Sequence, residues 1–266
     1  MNFILIDGSY YIFYRFYALV LWWKHAKQEE DNDTTEPSKS PLFIEKFKKT
    51  FVSNIEDIEK KLGINTETIK MVAIDCPRKQ IWRNNIFPEY KGARKNNVNA
   101  GDFFTMVYEK NLFQEAGVEK TLSYKSLEAD DCIAITTRHI QATYPDANIW
   151  IIASDMDYLQ LASDKVRIFN LKFKELTESK KCLGDPKMDL FCKIVAGDKS
   201  DNIPAVFNKC GMKTAIKYYN SPEIFDERLK DDKNAQEKYK RNQTVIDFNC
   251  IPSDLINGFK SDVLGL

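Results

Sequence analysis

Residues 148–155 read NIWIIASD, a short apolar run of β-branched and aromatic side chains that stops on an acid. A run this short and this apolar, with no alternation of polar residues, fits a strand buried on both faces of a parallel sheet. Working outward, NFILID (2–7) and IKMVAID (69–75) are built the same way and end on Asp7 and Asp75. VEKTLS (118–123) reads as a weaker strand and KVRIFN (165–170) as a fifth. Helical patterns lie between them at 9–26, 42–62, 102–116 and 127–142. Strands alternating with helices predict an α/β fold with a mostly parallel central sheet flanked by helices. The polar, acidic, proline-punctuated stretch 27–41 reads as a surface loop. After about residue 185 the pattern changes to short helices, so the expected division is an α/β domain at 1–185 and a smaller helical subdomain at 186–266.

The chain has 266 residues, 43% of them hydrophobic, which is enough for a real core and excludes a disordered chain. Its formal charge is zero, so any affinity for nucleic acid has to come from local basic patches. Six scattered cysteines without a C-x-x-C pair and only two histidines argue against zinc and suit free thiols in a reducing, intracellular compartment. The apolar N-terminus is interrupted by Asp7 and Arg15 and lacks a basic leader or cleavage site, so neither a signal peptide nor a membrane anchor is expected.

Three predicted strands end on acids: Asp7, Asp75 and Asp155. In an open parallel sheet ligands bind beyond the carboxyl ends of the strands, so these acids should converge on one edge. Asp157 follows Asp155 by two residues, and LEADD (127–131) puts Glu128, Asp130 and Asp131 at the helix start after the third strand. GDKSDNIP (197–204) adds Asp198 and Asp201 at i, i+3 spacing. Acids in a first helical turn also serve as caps, and a D-x-D pair is often only a turn. Nine carboxylates aimed at one crevice would raise one another's pKa unless cations offset them. An all-oxygen set selects hard divalent ions, Mg²⁺ or Mn²⁺.

From Arg78 to Lys95, RKQIWRNNIFPEYKGARK carries Arg78, Lys79, Arg83, Lys91, Arg94 and Lys95 against one acid, Glu89. The interleaved Trp82, Phe87 and Tyr90 are either core residues or faces on which bases stack while Lys and Arg hold phosphates. An acidic metal site beside a basic, aromatic segment is what phosphodiester hydrolysis requires, with two metals at the attacking and leaving oxygens and a cation at the scissile phosphate.

ILIDGSYYIFYRFYA, IDCPRKQIWRNNIFPEYKGARK, LEADD, ASDMDYLQL and VAGDKSDNIPAVFNKCGMKTA, in this order over residues 3–219, resemble the 5′-nuclease/flap endonuclease family, in its bacteriophage forms and the N-terminal nuclease domain of bacterial DNA polymerase I. The resemblance implies a PIN-like fold with a helical arch at 91–117 and a helix-three-turn-helix, a helix-hairpin-helix variant, at about 195–220. It implies a first metal site of Asp7, Asp75, Glu128, Asp130 and Asp131 and a second of Asp155, Asp157, Asp198 and Asp201, with Mg²⁺ or Mn²⁺ as two ions. Lys91 and Arg94 match the basic pair at the scissile phosphate, and Tyr90 matches an aromatic that stacks on the base at the cleavage point. Arg78, Lys79, Arg83 and Lys95 extend the nucleic-acid surface, joined by Lys209, Gly211, Lys213 and Lys217 at the hairpin, where family members often bind potassium. The implied enzyme is a monomeric 5′-3′ exonuclease and flap endonuclease acting on DNA with a 5′ single-stranded flap or end and on RNA–DNA junctions.

Two departures bear on this pattern. Arg15 lies one residue further from Asp7 than the family's phosphate-contacting arginine, and the hairpin's usual G-x-G becomes FNKCG, which is one residue longer and keeps only Gly211. The competing readings are a PIN-type endoribonuclease, which shares the acidic α/β site but usually lacks a GDKSDNIP module, and a non-catalytic junction binder, against which the complete acidic set argues. A HAD-like phosphatase needs a second aspartate two residues after Asp7, where Ser9 stands.

Overall fold

The computed structural model describes residues 1–26, 39–93 and 98–265. The chain runs β1 (Asn2–Asp7), α1 (Gly8–Ala26), α2 (Pro41–Glu56), α3 (Ile58–Leu62), β2 (Thr68–Ala73), α4 (Val98–Glu109), α5 (Leu112–Glu115), β3 (Lys120–Leu122), α6 (Ala129–Thr143), β4 (Asn148–Ile152) and β5 (Val166–Phe169). It then continues through α7 (Pro186–Ala196), α8 (Met212–Asn220), α9 (Pro222–Lys230), α10 (Lys233–Ile246) and α11 (Ser253–Phe259).

The five strands form one parallel sheet in the order β3-β2-β1-β4-β5. Its two faces explain the apolar runs. Phe3 and Leu5 of β1 pack with Ile133 and Ile140 of α6 on one side, while Ile4 and Ile6 pack with Tyr11, Phe47 and Phe51 of α1 and α2 on the other. Every β1 side chain between its ends is buried, so alternation has nothing polar to show. The helices beyond α6 build a third cluster, in which Cys192, Phe207, Tyr218 and Phe225 join α7, α8 and α9. A fourth, with Ile81, Phe87 and Tyr90 against Ile194, Val245 and Ile246, fastens the basic segment to these helices.

The helix expected over 42–62 is interrupted at Asp57, and α3 ends at Gly63 with φ 67°, a left-handed C-terminal stop that favours glycine. The helix expected over 102–116 breaks before Leu112, where Asn111 takes φ 52°. Most of the 27–41 loop lies outside the described residues. All six cysteines are free thiols. Among the described residues no helix is long and apolar enough to cross a membrane.

Candidate active site

The strand order reverses direction at β1: the chain lays down β2 and β3 to one side of it and β4 and β5 to the other. That switch leaves a crevice beyond the carboxyl end of β1, where a doubly wound sheet binds its ligand. Asp7 ends β1, Asp75 lies just past β2, and Asp155 just past β4. All three line a cavity of about 350 Å³ together with Glu128, Asp130, Lys91 and Arg78. Gly8 makes the turn possible, because a Cβ there would stand 2.6 Å from the Ala73 carbonyl oxygen. With that turn, Tyr10 N–H donates to Asp7 Oδ1 at 2.9 Å and Ser9 Oγ donates to Asp75 Oδ2 at 2.5 Å. Tyr158 reaches in from beyond β4 and its hydroxyl donates to Asp7 Oδ2 at 3.0 Å.

At the start of α6, capping and clustering are one arrangement. Asp131 Oδ2 accepts from the backbone N–H of Glu128 at 3.1 Å, and Asp75 Oδ1 accepts from that of Ala129 at 2.8 Å, which satisfies orphan first-turn donors. Asp131 is fully buried, held by Arg83 through Nη2 to Oδ1 at 2.7 Å and Nη1 to Oδ2 at 2.8 Å, with Trp82 Nε1 donating at 3.0 Å. Glu128 is clamped from both sides, by Arg83 Nη1 at 3.0 Å and by Lys91 Nζ at 2.5 Å. Lys91 has φ 54° and donates its own N–H to the Asp201 carbonyl at 2.9 Å. That strained backbone aims its side chain at the acids, and such strain persists where neighbouring structure holds it.

The residues fit a hard divalent ion. Glu128, Asp130 and Asp131 each offer a carboxylate oxygen within 4.8 Å of the others. Burial and the neighbouring Asp75 push the Asp7 carboxyl up to about 7. Burial, Glu128 and Asp131 hold Asp130 well above the usual carboxylate range. These acids are crowded beyond what they can ionise alone, and a bound cation removes that penalty.

The remaining acids form a second group with an occupant that the sequence reading missed. Lys193, in the last turn of α7, places Nζ against Asp157 Oδ1, 2.8 Å from Asp198 Oδ2 and 3.9 Å from Asp155 Oδ1. Burial pushes Asp157 up to about 6 although Lys193 draws it down. At Asp198 burial is outweighed by Lys193 and Ser200, which hold it down at about 2. The only signal for Lys193 in the sequence was a cation in the last turn of a helix, four residues before GDKSD. That placement is an ordinary helix-dipole feature and so does not single it out. Asp201 is buried, with Tyr90 Oη at 3.4 Å and Lys91 Nζ at 4.0 Å.

The basic segment needs two corrections. Arg83, expected to meet nucleic acid, is 1% exposed and spends its guanidinium on Asp131, Glu128 and the Val245 carbonyl. Tyr90, expected to stack on a base, is 6% exposed, because its ring packs with Ile194, Ile203 and Val245. Arg78 and Lys79 are exposed, with Arg78 at the cavity wall. Arg94 and Lys95 lie outside the described residues. Arg15 is half-buried and is not among the cavity-lining side chains. Lys209, Gly211, Lys213 and Lys217 are all exposed in the loop before α8 and along that helix. Lys209 takes φ 57°, the left-handed conformation that glycine adopts without strain, at the first position of what would be G-x-G.

Residues 2–187 match the model of a family described as 5'-3' exonuclease, N-terminal resolvase-like domain. A 5'-3' exonuclease of Buchnera aphidicola subsp. Acyrthosiphon pisum is 29% identical over 234 residues, covering 84% of this chain and 73% of that protein. A flap endonuclease of Escherichia phage T5 is 25% identical over 243 residues, covering 82% and 81%. Among solved structures, the T5 D15 flap endonuclease in a pseudo-enzyme-product complex with DNA and metal ions superposes with a TM-score of 0.65 at 22% identity, covering 100% of this chain and 98% of that one.

Proposed function

The chain belongs to the 5'-3' exonuclease family and is a 5'-3' exonuclease/flap endonuclease; on that footing we propose that it uses Mg²⁺ or Mn²⁺ to cut phosphodiester bonds of DNA near the junction of a 5′ single strand and a duplex. The observation that carries the reading is the single cavity that gathers Asp7, Asp75, Glu128, Asp130 and Asp155 around Lys91 at the carboxyl edge of the sheet. Asp7, Asp75, Glu128 and Asp130 would hold the first ion, and Asp155, Asp157 and Asp198 would hold the second, with Asp201 behind them. When bound, the ions offset charge on the attacking and leaving oxygens and acidify water.

The protein's own groups do the rest. Glu128 and Asp130 are placed by the α6 start, and Glu128 faces the cavity with its oxygens paired to Arg83 and Lys91. The Lys91 ammonium lies at the cavity wall, where it neutralises the scissile phosphate. Tyr158 and Ser9 fix the orientation of Asp7 and Asp75. Arg78 and Lys79 guide the 5′ strand past this edge. Residues 186–266 grip the duplex, with Lys209, Lys213 and Lys217 against its phosphates and a potassium site at the hairpin. RNA-primed ends are substrates of the same geometry, since nothing in the reading depends on a 2′-hydroxyl.

The test is cleavage of an end-labelled double-flap DNA in Mg²⁺, with the cut mapped, beside a Lys91→Ala variant and an EDTA control. Incision within a nucleotide or two of the junction, lost with EDTA, is expected. A pure protein that cuts no 5′-flap, nicked or single-stranded DNA in either metal overturns the reading. Faster cutting of an RNA hairpin than of the flap would favour an endoribonuclease.

A further inference from the structure

We infer that Tyr10 is a substrate-binding residue of this site, its phenol donating a hydrogen bond to a non-bridging oxygen of the backbone phosphate next to the scissile one, on the β4 side of the crevice and opposite Lys91. The inference rests on the proposed cleavage of DNA and deepens it with a contact that lies outside both the acids and the basic segment.

Four hydroxyls line the catalytic cavity, those of Ser9, Tyr10, Ser154 and Tyr158. The fold already uses three of their protons. Ser9 Oγ donates to Asp75 at 2.5 Å, Tyr158 Oη donates to Asp7 at 3.0 Å, and the Ser154 hydroxyl is bonded to Tyr10 itself. The Tyr10 oxygen also accepts the Leu171 N–H, at 3.0 Å. With both lone pairs engaged, that oxygen is anchored and its O–H is left to act as a donor. Among the described residues no acceptor takes this proton, and the side chain that carries it lines the cavity.

The cations that line the cavity lie across it from Tyr10. Arg78 and Lys91 come from the segment after β2, and Lys91 is paired with Glu128. Tyr10 stands in the first turn of α1 against Ser154 and Leu171, which follow β4 and β5, the strands on the other side of β1. The charged groups that line the cavity there are Asp155 and, at the end of β1, Asp7. A lysine in that place would be drawn onto the acids, as Lys193 is drawn onto Asp157 and Asp198. A neutral phenol donates to an anion without cancelling the carboxylates that would hold ions. A strand whose scissile phosphate meets Lys91 brings its neighbouring phosphate to the far side of the crevice, where the Tyr10 proton waits. A hydrogen bond to such a charged acceptor is about twice as strong as one between neutral groups.

The experiment compares the full-length wild type with Tyr10→Phe on double-flap DNA in Mg²⁺, either unmodified or carrying one neutral methylphosphonate at the phosphate immediately 5′ or immediately 3′ to the scissile one. Phenylalanine keeps the ring beside Tyr14 and removes only the hydroxyl. On unmodified DNA the variant should lose about 10- to 100-fold in kcat/KM, the range for one hydrogen bond to a charged acceptor. At one of the two positions the methylphosphonate should cost the wild type a similar factor and the variant less than about threefold, a coupling expected of direct contact. Mn²⁺ affinity without DNA, followed by electron paramagnetic resonance, should stay within about threefold of wild type, because the phenol holds no ion. A loss under about threefold on unmodified DNA, losses that multiply at both positions, or Mn²⁺ affinity that falls in step with activity overturns the inference. So does a wild type indifferent to both methylphosphonates, which is decisive even where the variant does not fold. A wild type that cuts no flap at all overturns the DNA-cleavage reading and the inference with it.

Discussion

Replacing Arg83 by methionine separates two roles that a basic residue in this segment could have. The side chain is 1% exposed and makes four hydrogen bonds: to Asp131 at 2.7 and 2.8 Å, to Glu128 at 3.0 Å and to the Val245 carbonyl at 2.7 Å. Methionine fills much of the volume but leaves Asp131, which is 0% exposed, with only Trp82 and one backbone N–H. Stranding one partner of a buried pair costs about 3–5 kcal/mol. With a urea m-value of about 3 kcal/mol/M, the unfolding midpoint should fall by about 1–1.7 M. Because Arg83 also ties α6 to α10 through Val245, the loss should appear as one cooperative shift and not as early release of the helical region. Asp131→Leu removes the stranded charge, so Arg83→Met should cost at least about 1 kcal/mol less in that background, a coupling expected of direct contacts. DNA affinity supplies the second readout. A lysine or arginine that neutralises a phosphate contributes about one unit to the slope of log K against log salt. Arg83→Met should leave that slope unchanged in whatever protein remains folded. A stability loss under about 1 kcal/mol, or a slope lowered by about one, would refute the assignment of Arg83 to the interior.

Other consequences follow from the same geometry. Lys91→Ala should lower kcat for flap cleavage by about 10²–10³-fold, the cost of losing one preorganised charge donor, while urea stability changes far less. Gly197→Ala combines φ 73° with a Cβ that would run into the Ile203 carbonyl, so it should destabilise by more than about 2 kcal/mol and displace Asp198, read as a lower melting temperature and weaker Mn²⁺ uptake. Lys209→Gly should do the opposite, because a lysine at φ 57° costs about 1 kcal/mol that glycine avoids, raising the melting temperature by about 2–4 °C. Asp7 and Asp157 have folded pKa values of about 7 and about 6, above their unfolded value. The folded protein therefore keeps protons that the unfolded chain has lost, and stability in EDTA should fall as pH rises from about 4 to about 7, by at most about 1.4 kcal/mol per unit for each group. Asp198, held down at about 2, acts in reverse, and its stabilisation is lost only as pH drops through that value. Saturating Mg²⁺ should flatten the decline between pH 5 and pH 7; urea midpoints that are level across this range without metal would contradict the crowding.

The sheet was legible because its central strand is buried on both faces. β1 sends Phe3 and Leu5 one way and Ile4 and Ile6 the other into separate cores, so the apolar run could not be mistaken for an amphipathic element. The strands' acidic ends were legible for a related reason: no apolar strand continues through an aspartate unless the chain has reached the sheet's edge. Local breaks were not, since Asp57 and Asn111 interrupt sequences whose apolar spacing continues across them. Charge was the least readable quantity. Arg83 and Arg78 sit in one basic run, yet one is buried against Asp131 and the other stands at the cavity wall. Their difference depends on contacts 48 residues away in sequence, which no local pattern carries.

The interior position of Arg83 also explains why the α6 start can be both a cap and part of a cage. A helix N-terminus favours acids, but acids that only cap it point their oxygens back at the backbone. Here the work is divided: Asp131 turns inward to accept from Glu128 N–H and Arg83, and Asp75 caps Ala129 from a different strand. Asp130 Oδ1 also accepts from the Asp131 N–H at 2.7 Å, and Glu128 and Asp130 still line the cavity. The guanidinium neutralises Asp131 and reaches Glu128 as well, so it ties the interior acid to one that lines the cavity. The second group has a cation of its own, Lys193, whose ammonium lies between Asp157 and Asp198. Glu128 is paired both with Arg83 beneath it and with Lys91 at the cavity wall, and Asp157 and Asp198 are paired with Lys193, so each group of acids meets the crevice with a lysine already among its carboxylates.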